Sequence, residues 1–489
     1  VSDTDQTREL SARVERELLE RASIDPSELA ELFAEAVRPS AARHVLLFAV
    51  QKALLQRTLN HARRNCRFYR DTPAYAQWSP TEPDQPPDMT PYPVIDRAAV
   101  ARDTAALTAE DVRIRQVCHT SGTTGEPLEV PKSFEEIDFL QHYFTALQRP
   151  LRESPNPRPL SLSFPNFYHG SPVPLPGVGF GFVSGVTDDT LIQDAKRVLD
   201  KTYDIPGHDQ RISLLSGLEH HITFFTHFLL EQGVNPADYG MTSISSTGGY
   251  LAPHWRRFLQ QSWTCQINDR FTLTEAIAGA GRFMDGPVFI MDPIAVAEVI
   301  DIDTGQPLEE GVGALVITNL HPFVQMLPLI RYRTGDLVRR VRHPAEHGLA
   351  FEHLGRIKNC VSQIHGGARR WLLFSTELHN AVTEIPEVRR FEWFSNVRSV
   401  RDRTIGSLPV MSVETAGEDH ALTVTLSVEL SYAPHCFPDR VAGLERRLLS
   451  SLTTEATSGI ADALADGSCR FRVRFFGPGG LDAPLVIKV

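Results

Sequence analysis

The segment His119-Thr120-Ser121-Gly122-Thr123-Thr124-Gly125-Glu126-Pro127 sets three hydroxyl side chains and two glycines between Ser121 and Glu126. Runs with strand character flank it, IRQVC at 114–118 and LEV at 128–130. A connection of this composition has a loose backbone, and its N–H and O–H groups can surround phosphate oxygens. It suits a triphosphate. It is not a Walker loop, because G-x-x-x-x-G-K-[ST] is absent, and its plainer reading is a Ser/Thr/Gly hairpin turn.

Working outward, short β-branched runs such as ALVITNL at 314–320 alternate with helical patterns such as LEHHITFFTHFLLEQG at 218–233 and PHWRRFLQQS at 253–262. That alternation predicts α/β layers. Upstream, residues 6–37 and 41–66 carry apolar positions at helical spacing, and SPTEPDQPPDMTPYP at 79–93 reads as an extended surface connection. Beyond Gly355-Arg356 the pattern restarts as a smaller α+β unit, with strands ALTVTLSVELSY and CRFRVRFF and a helix near 439–453. The expected architecture is a large multi-layer α/β body over 1–356 and a small mobile domain over 357–489.

Composition narrows the function. A chain of 489 residues, 42% hydrophobic, can bury a sizeable core, and its net charge of -11 offers no basic stripe for nucleic acid. No apolar run approaches the ~20 residues that cross a bilayer, and the opening VSDTDQTREL is polar. A cytoplasmic protein without membrane or nucleic-acid partners is expected. The six cysteines are widely spaced and predict neither disulfides nor a structural metal. Only six of the 49 basic residues are lysine, two of them, Lys358 and Lys488, beyond position 356.

Three further segments stand in order after the loop: Asp269-Arg270-Phe271-Thr272-Leu273-Thr274-Glu275, Arg331-Tyr332-Arg333-Thr334-Gly335-Asp336-Leu337, and Gly355-Arg356-Ile357-Lys358-Asn359. Glu275 is the hard oxygen ligand that magnesium requires, or else a solvated acid at a helix start. Asp336 can accept from two vicinal ribose hydroxyls, or else serve a turn. With TSGTTGEP, these segments resemble the phosphate loop, the YGLTE, the RYRTGDL and the hinge segments of the adenylate-forming superfamily. HARRNCRFYRDTP at 61–73, PVIDRAAVARD at 93–103, FPNFYHGSPVPLPGVGFGFVSG at 164–185 and MLPLIRYRTGDL at 326–337 resemble its phenylacetate–CoA ligase branch.

The resemblance implies an ATP- and magnesium-dependent ligase that turns a small organic acid into an acyl-AMP, with release of pyrophosphate, and passes it to coenzyme A. By it, Thr120 to Gly125, Asp269, Arg270, Phe271, Thr272, Asp336 and Arg356 bind nucleotide. Glu275 holds magnesium, Thr274 contacts phosphate, and Lys488 is the mobile catalytic lysine. Lys358 marks the hinge about which the C-terminal domain swings. The acid pocket is expected from His119, Phe167, Tyr168, Gly248, Gly249, Tyr250, Ala276 and Gly279, whose small residues leave room for a planar ring. The pair His220-His221 reads as packing or surface. The chain departs from the family where Gly-Gly-Glu becomes Gly248-Gly249-Tyr250 and where a Cys-rich insert is missing. These departures keep other acceptors open: a carrier-protein thiol, an amine, or nitrite with an aryl amine as in ATP-dependent diazotases. A binder of nucleotide or aromatic ligand without catalysis is the alternative of another class. The sequence leaves the oligomeric state open, a homodimer included.

Overall fold

A computed structural model describes residues 3–37, 43–120, 127–147, 157–164, 180–186, 189–282, 286–342, 348–388, 390–394, 397–403, 408–417, 422–454 and 456–481. Over 6–37 the apolar spacing becomes two helices, Asp3–Glu20 and Pro26–Ala36. Pro26 fits only a first helical turn, and Asp25 ahead of it accepts from the Ser27 and Glu28 N–H groups. Periodicity alone reads through that break. The next helix, Arg43–Asn65, buries Leu46, Val50, Leu54, Leu55 and Leu59, the positions that its spacing marks.

The Pro-rich stretch 79–93 holds no helix or strand, but it is not a surface connection throughout. Met89 and Tyr92 are buried, and the Tyr92 ring stacks on Tyr75 with centroids 5.8 Å apart. Arg331 donates to the Tyr92 carbonyl at 2.8 Å while its guanidinium also faces Glu298 at 3.3 Å. Two large apolar side chains among the prolines are enough to pin the segment to the core.

A mixed sheet of 12 strands, counted among the described residues, forms the body. Its parallel half runs Phe180–Val183, Arg158–Phe164, His208–Gly217, Ser243–Thr247, Gln266–Phe271. The helices Asp189–Asp200, Glu219–Glu231 and Pro253–Trp263 return the chain between successive strands, as parallel pairing requires. Leu162, Leu215 and Ile244 from the strands pack with Phe225, Leu229 and Leu259 from the helices. Beyond Gln266–Phe271 the neighbours turn antiparallel, ending on Ala350–Arg356, Tyr332–Arg340, Gly311–Asn319 and Ala295–Ile300. Phe164 lies beside Gly217, and Gly217 beside Ser246, so the parallel strands end along one edge. Open α/β sheets bind their ligands outside that edge.

From Val361 onward smaller sheets take over. Leu422–Glu429 lies between antiparallel Met411–Ala416 and parallel Cys469–Phe476. The helices Ser375–Thr383 and Pro438–Thr454 cover this sheet around Leu378, Val382, Val424, Leu426 and Leu448. The result is an α/β body followed by a smaller α+β unit. Among the described residues no helix is long and apolar enough to cross a membrane.

Inside the body, His61 donates from Nε2 to the Gln325 carbonyl at 2.9 Å and accepts at Nδ1 from Asn65 at 2.9 Å, which fixes it as neutral. His321 packs against it at 4.7 Å between ring centroids. Burial, helped by His61 and Arg57, pushes His321 down to about 3. A folded-state value below the unfolded value of about 6.5 gives stability that is complete above pH 6.5 and drains away as pH falls toward 3. The melting temperature should therefore drop between pH 6.5 and 4, and His321→Gln should flatten that slope in calorimetry. An identical slope in the variant would contradict this.

Candidate functional site

The strands Ile114–His119 and Glu129–Ser133 form an antiparallel hairpin with His119 opposite Glu129. Thr120 N donates to the Leu128 carbonyl at 3.0 Å, and Leu128 N donates to Thr120 Oγ1 at 2.8 Å. Ser121, Gly122, Thr123, Thr124 and Gly125 lie outside the described residues, as do Phe167, Tyr168 and Lys488. Arg97, which the sequence reading passed over, donates from Nη2 to Thr120 Oγ1 at 3.0 Å and reaches Glu275 Oε1 at 3.5 Å. With two donors on its oxygen, Thr120 keeps its own O–H proton to give to a ligand.

Glu275 follows the end of the Gln266–Phe271 strand and is 8% exposed. Tyr332 donates to its Oε1 at 3.1 Å, and Asn319 donates to its carbonyl at 3.1 Å. Burial, then the Glu275 charge, raises the Tyr332 phenol far above its usual range, which keeps it a donor. Among the described residues no group of three or more His, Cys, Asp or Glu stands ready for a metal. A single fixed carboxylate is instead the donor set for a magnesium ion whose remaining ligands are phosphate and water. Glu275 fits that ion.

Asp336 owes its direction to a bulge. Ala314 pairs with Leu337 and Val316 with Arg333, so Thr334, Gly335 and Asp336 stand opposite Leu315 alone. Gly335 takes φ +85°, a left-handed conformation that suits glycine. The extra residues turn Asp336 inward, where it is 1% exposed and accepts from His353 Nε2 at 3.2 Å and Arg356 Nη1 at 3.3 Å. Burial alone would raise its pKa, but the Arg356 charge and the His353 hydrogen bond hold it below the ordinary carboxylate range. The group is an anion with two donors already in place. Strand pairing, with His353 opposite Val338, brings His353 to Asp336.

Other expected residues have different work. Asp269, 2% exposed, is paired with Arg282 at 2.8 Å, and burial raises it to about 6. Arg270 is paired with Asp292, which also accepts from Gly279 N at 2.9 Å. Both charges are met inside the body. Ala276 is part of the main core, and a side chain on Gly279 would come within 2.5 Å of the Phe271 carbonyl. Both stand where the chain packs back against the Phe271 carbonyl and the core. Thr272 is exposed beside Thr247 at 3.5 Å, Thr274 is half-buried, and His119 ends its strand half-buried. The Phe271 and Tyr250 rings both face His353, at 5.4 and 6.4 Å between centroids, beside the exposed Gly248 and Gly249.

No protein-family model matches the sequence, and no curated protein matches it. Solved structures do. A 2-hydroxyisobutyryl-CoA ligase in the postadenylation state with R3-HIB-AMP superposes with a TM-score of 0.58 at 14% identity, over 92% of this chain and 89% of that one. The same ligase in an open conformation with 2-HIB-AMP and CoA gives 0.57 at 16% identity, over 91% and 90%. The chain has the adenylate-forming ligase fold. Within that fold, Arg97 joins Thr120 to Glu275, and the Phe271 ring ahead of Glu275 faces His353, the partner of Asp336. If Asp336 is the ribose acceptor of this fold, Asp336→Ala should weaken ATP binding by ~2 to 4 kcal/mol, because a charged acceptor is lost. Titration calorimetry checks this, and undiminished affinity in a folded variant would refute it.

Proposed function

We propose that the chain activates a small carboxylic acid with ATP to an acyl-AMP, releases pyrophosphate, and transfers the acyl group to a thiol, coenzyme A first of all. The buried Thr120, Glu275 and Asp336, each fixed by an arginine or a tyrosine, carry the reading. That the 2-hydroxyisobutyryl-CoA ligase of like fold holds 2-HIB-AMP and CoA supports it. ATP and coenzyme A as co-substrates fit a cytoplasmic enzyme.

A carboxylate is ionised at neutral pH, so its in-line attack on the α-phosphorus needs no general base. The chain's task is to position and to neutralise charge. Asp336 accepts the ribose hydroxyls, while the Thr120 hydroxyl and the Arg97 guanidinium face the phosphates. A magnesium ion on Glu275 would offset phosphate charge. Tyr250 and Phe271 give the acid subsite aromatic walls, which favours a planar acid.

We place the hinge at Lys358, in the short turn Ile357–Asn359 between the Ala350–Arg356 strand and the C-terminal unit, with domains over 1–356 and 357–489. Contacts across the seam include the exposed pairs Arg257–Glu384 at 3.1 Å and Arg369–Asp303 at 2.6 Å. Exposed pairs are worth only about 0 to 1 kcal/mol each, whereas Leu337 and Leu354 pack against Phe374 across the same seam, so a turned domain has to cover those apolar side chains again. A cleft of about 160 Å³ already runs along it beside Arg257, Glu384 and Ser451. Lys488 would serve the first half-reaction and leave when the C-terminal domain turns.

The test is to measure ATP–pyrophosphate exchange over an acid library, and thiol transfer from a prepared acyl-AMP. Lys488→Ala should abolish most exchange and spare transfer, while Lys358→Pro, with φ fixed, should do the reverse. Equal loss of both steps in both variants would sink the two-state mechanism. Absence of exchange with every acid, nitrite included, would sink the ligase reading.

A further inference from the structure

Glu219 opens the helix Glu219–Glu231, two residues past the end of the His208–Gly217 strand. It therefore sits on the edge that carries Glu275, between the end of the Arg158–Phe164 strand and the Gly248-Gly249-Tyr250 turn. Its carboxylate occupies the space in which any other residue at 249 would begin its side chain. A Cβ built on Gly249 would meet Oε2 at 1.9 Å and Oε1 at 2.5 Å. The exposed glycine pair thus lies directly over a buried acid.

That acid is half answered. Glu219 is 7% exposed and Oε1 accepts from His220 Nδ1 at 3.1 Å, but among the described residues the buried Oε2 has no hydrogen-bond partner. His220 Nε2 and the fully buried Ser246 Oγ, on the strand beside Gly217, also lack partners. Burial alone would raise the Glu219 carboxyl, yet His220 and His379 hold it below the ordinary range, so it stays an anion. A buried carboxylate oxygen without a donor is costly, and the cost is recovered when a ligand supplies one. An anion at this edge also repels the carboxylate of a simple acid, so the acid must turn its reacting end toward Thr120 and the Arg97 guanidinium.

We propose that Glu219, steadied by His220, is a specificity-determining residue that selects an acid carrying an amino group remote from its carboxylate. The amino N–H groups donate to Oε2, completing the carboxylate and excluding isosteres that have a methyl group there. This rests on the activation reading for its reaction but not for its binding step. Sites built to pair a substrate N–H or O–H reject analogues without it far more strongly than apolar pockets reject a missing methylene.

The test uses matched acids that differ only in amino against methyl, aromatic pairs such as 3-aminobenzoate and 3-methylbenzoate and aliphatic pairs such as β-alanine and butyrate. Binding is read by thermal shift and activation by pyrophosphate exchange. Amino members should exceed their methyl partners by at least about tenfold in affinity in the wild type. Glu219→Leu should bring the ratio near one without changing ATP affinity, and Glu219→Gln should fall between. Equal binding of both members by the wild type overturns the proposal without recourse to any variant, as does binding of neither. A preference kept in Glu219→Leu also overturns it. Amino-selective binding with no exchange for any acid would uphold the selection by Glu219 and defeat the activation chemistry instead.

Discussion

A carboxylate taken out of water has to be met by donors or positive charge, and that requirement organises the edge where the parallel strands end. Glu219, Asp269, Glu275 and Asp336 are 7%, 2%, 8% and 1% exposed. Three are met from another element, Asp269 by Arg282, Glu275 by Tyr332 and Arg97, and Asp336 by His353 and Arg356, while Glu219 is met by its helix neighbour His220. Removing one partner of such a pair typically costs about 3 to 5 kcal/mol, since the other charge is left buried and alone. The acids therefore hold the strands in one register as well as shaping the chemistry. Where the set of partners is complete, as at Asp269, the pair serves the fold; where an oxygen remains unanswered, as at Glu219, a ligand is the missing partner.

The edge also reaches the C-terminal unit. Arg356 is the last residue of the Ala350–Arg356 strand and so ties Asp336 to the turn that contains Lys358. Tyr250 meets His379 of the Ser375–Thr383 helix edge-on at 5.6 Å between ring centroids. Tyr250 thus stands between the proposed acid subsite and the unit proposed to move. Burial pushes its phenol up to about 12, so it remains a neutral donor throughout the physiological range. A neutral group at a seam that opens and closes carries little desolvation cost in either arrangement.

Much of the fold is legible in the sequence because periodicity and turn residues report local structure directly. The Gly311–Asn319 strand, the Pro253–Trp263 helix and the paired C-terminal strands follow from apolar spacing, whereas the turn expected at Asp336 is a strand bulge with Gly335 at positive φ. Contacts made by strand pairing are not legible in that way. Arg97 meets Glu275 across 178 positions only because Ile95 pairs with Tyr332 in the parallel bridge beside the sheet. Nothing in PVIDRAAV distinguishes that arginine from its neighbours. Glu219 looks like an ordinary acid at a helix start, and its burial is set by the Gly249 turn thirty positions away. Asp269 and Arg270 sit in a recognisable segment, yet Arg282 and Asp292, supplied by the next strands, take up their charges.

The central claim is that the acid's own carboxylate attacks the α-phosphorus of ATP. Isotope transfer tests that step without reliance on any variant. An acid labelled with ¹⁸O in its carboxyl group is turned over with ATP and coenzyme A, and the AMP is weighed by mass spectrometry. One carboxyl oxygen should pass to the phosphate of each AMP as the thioester forms. AMP without label, or the appearance of ADP and phosphate in its place, would contradict the account.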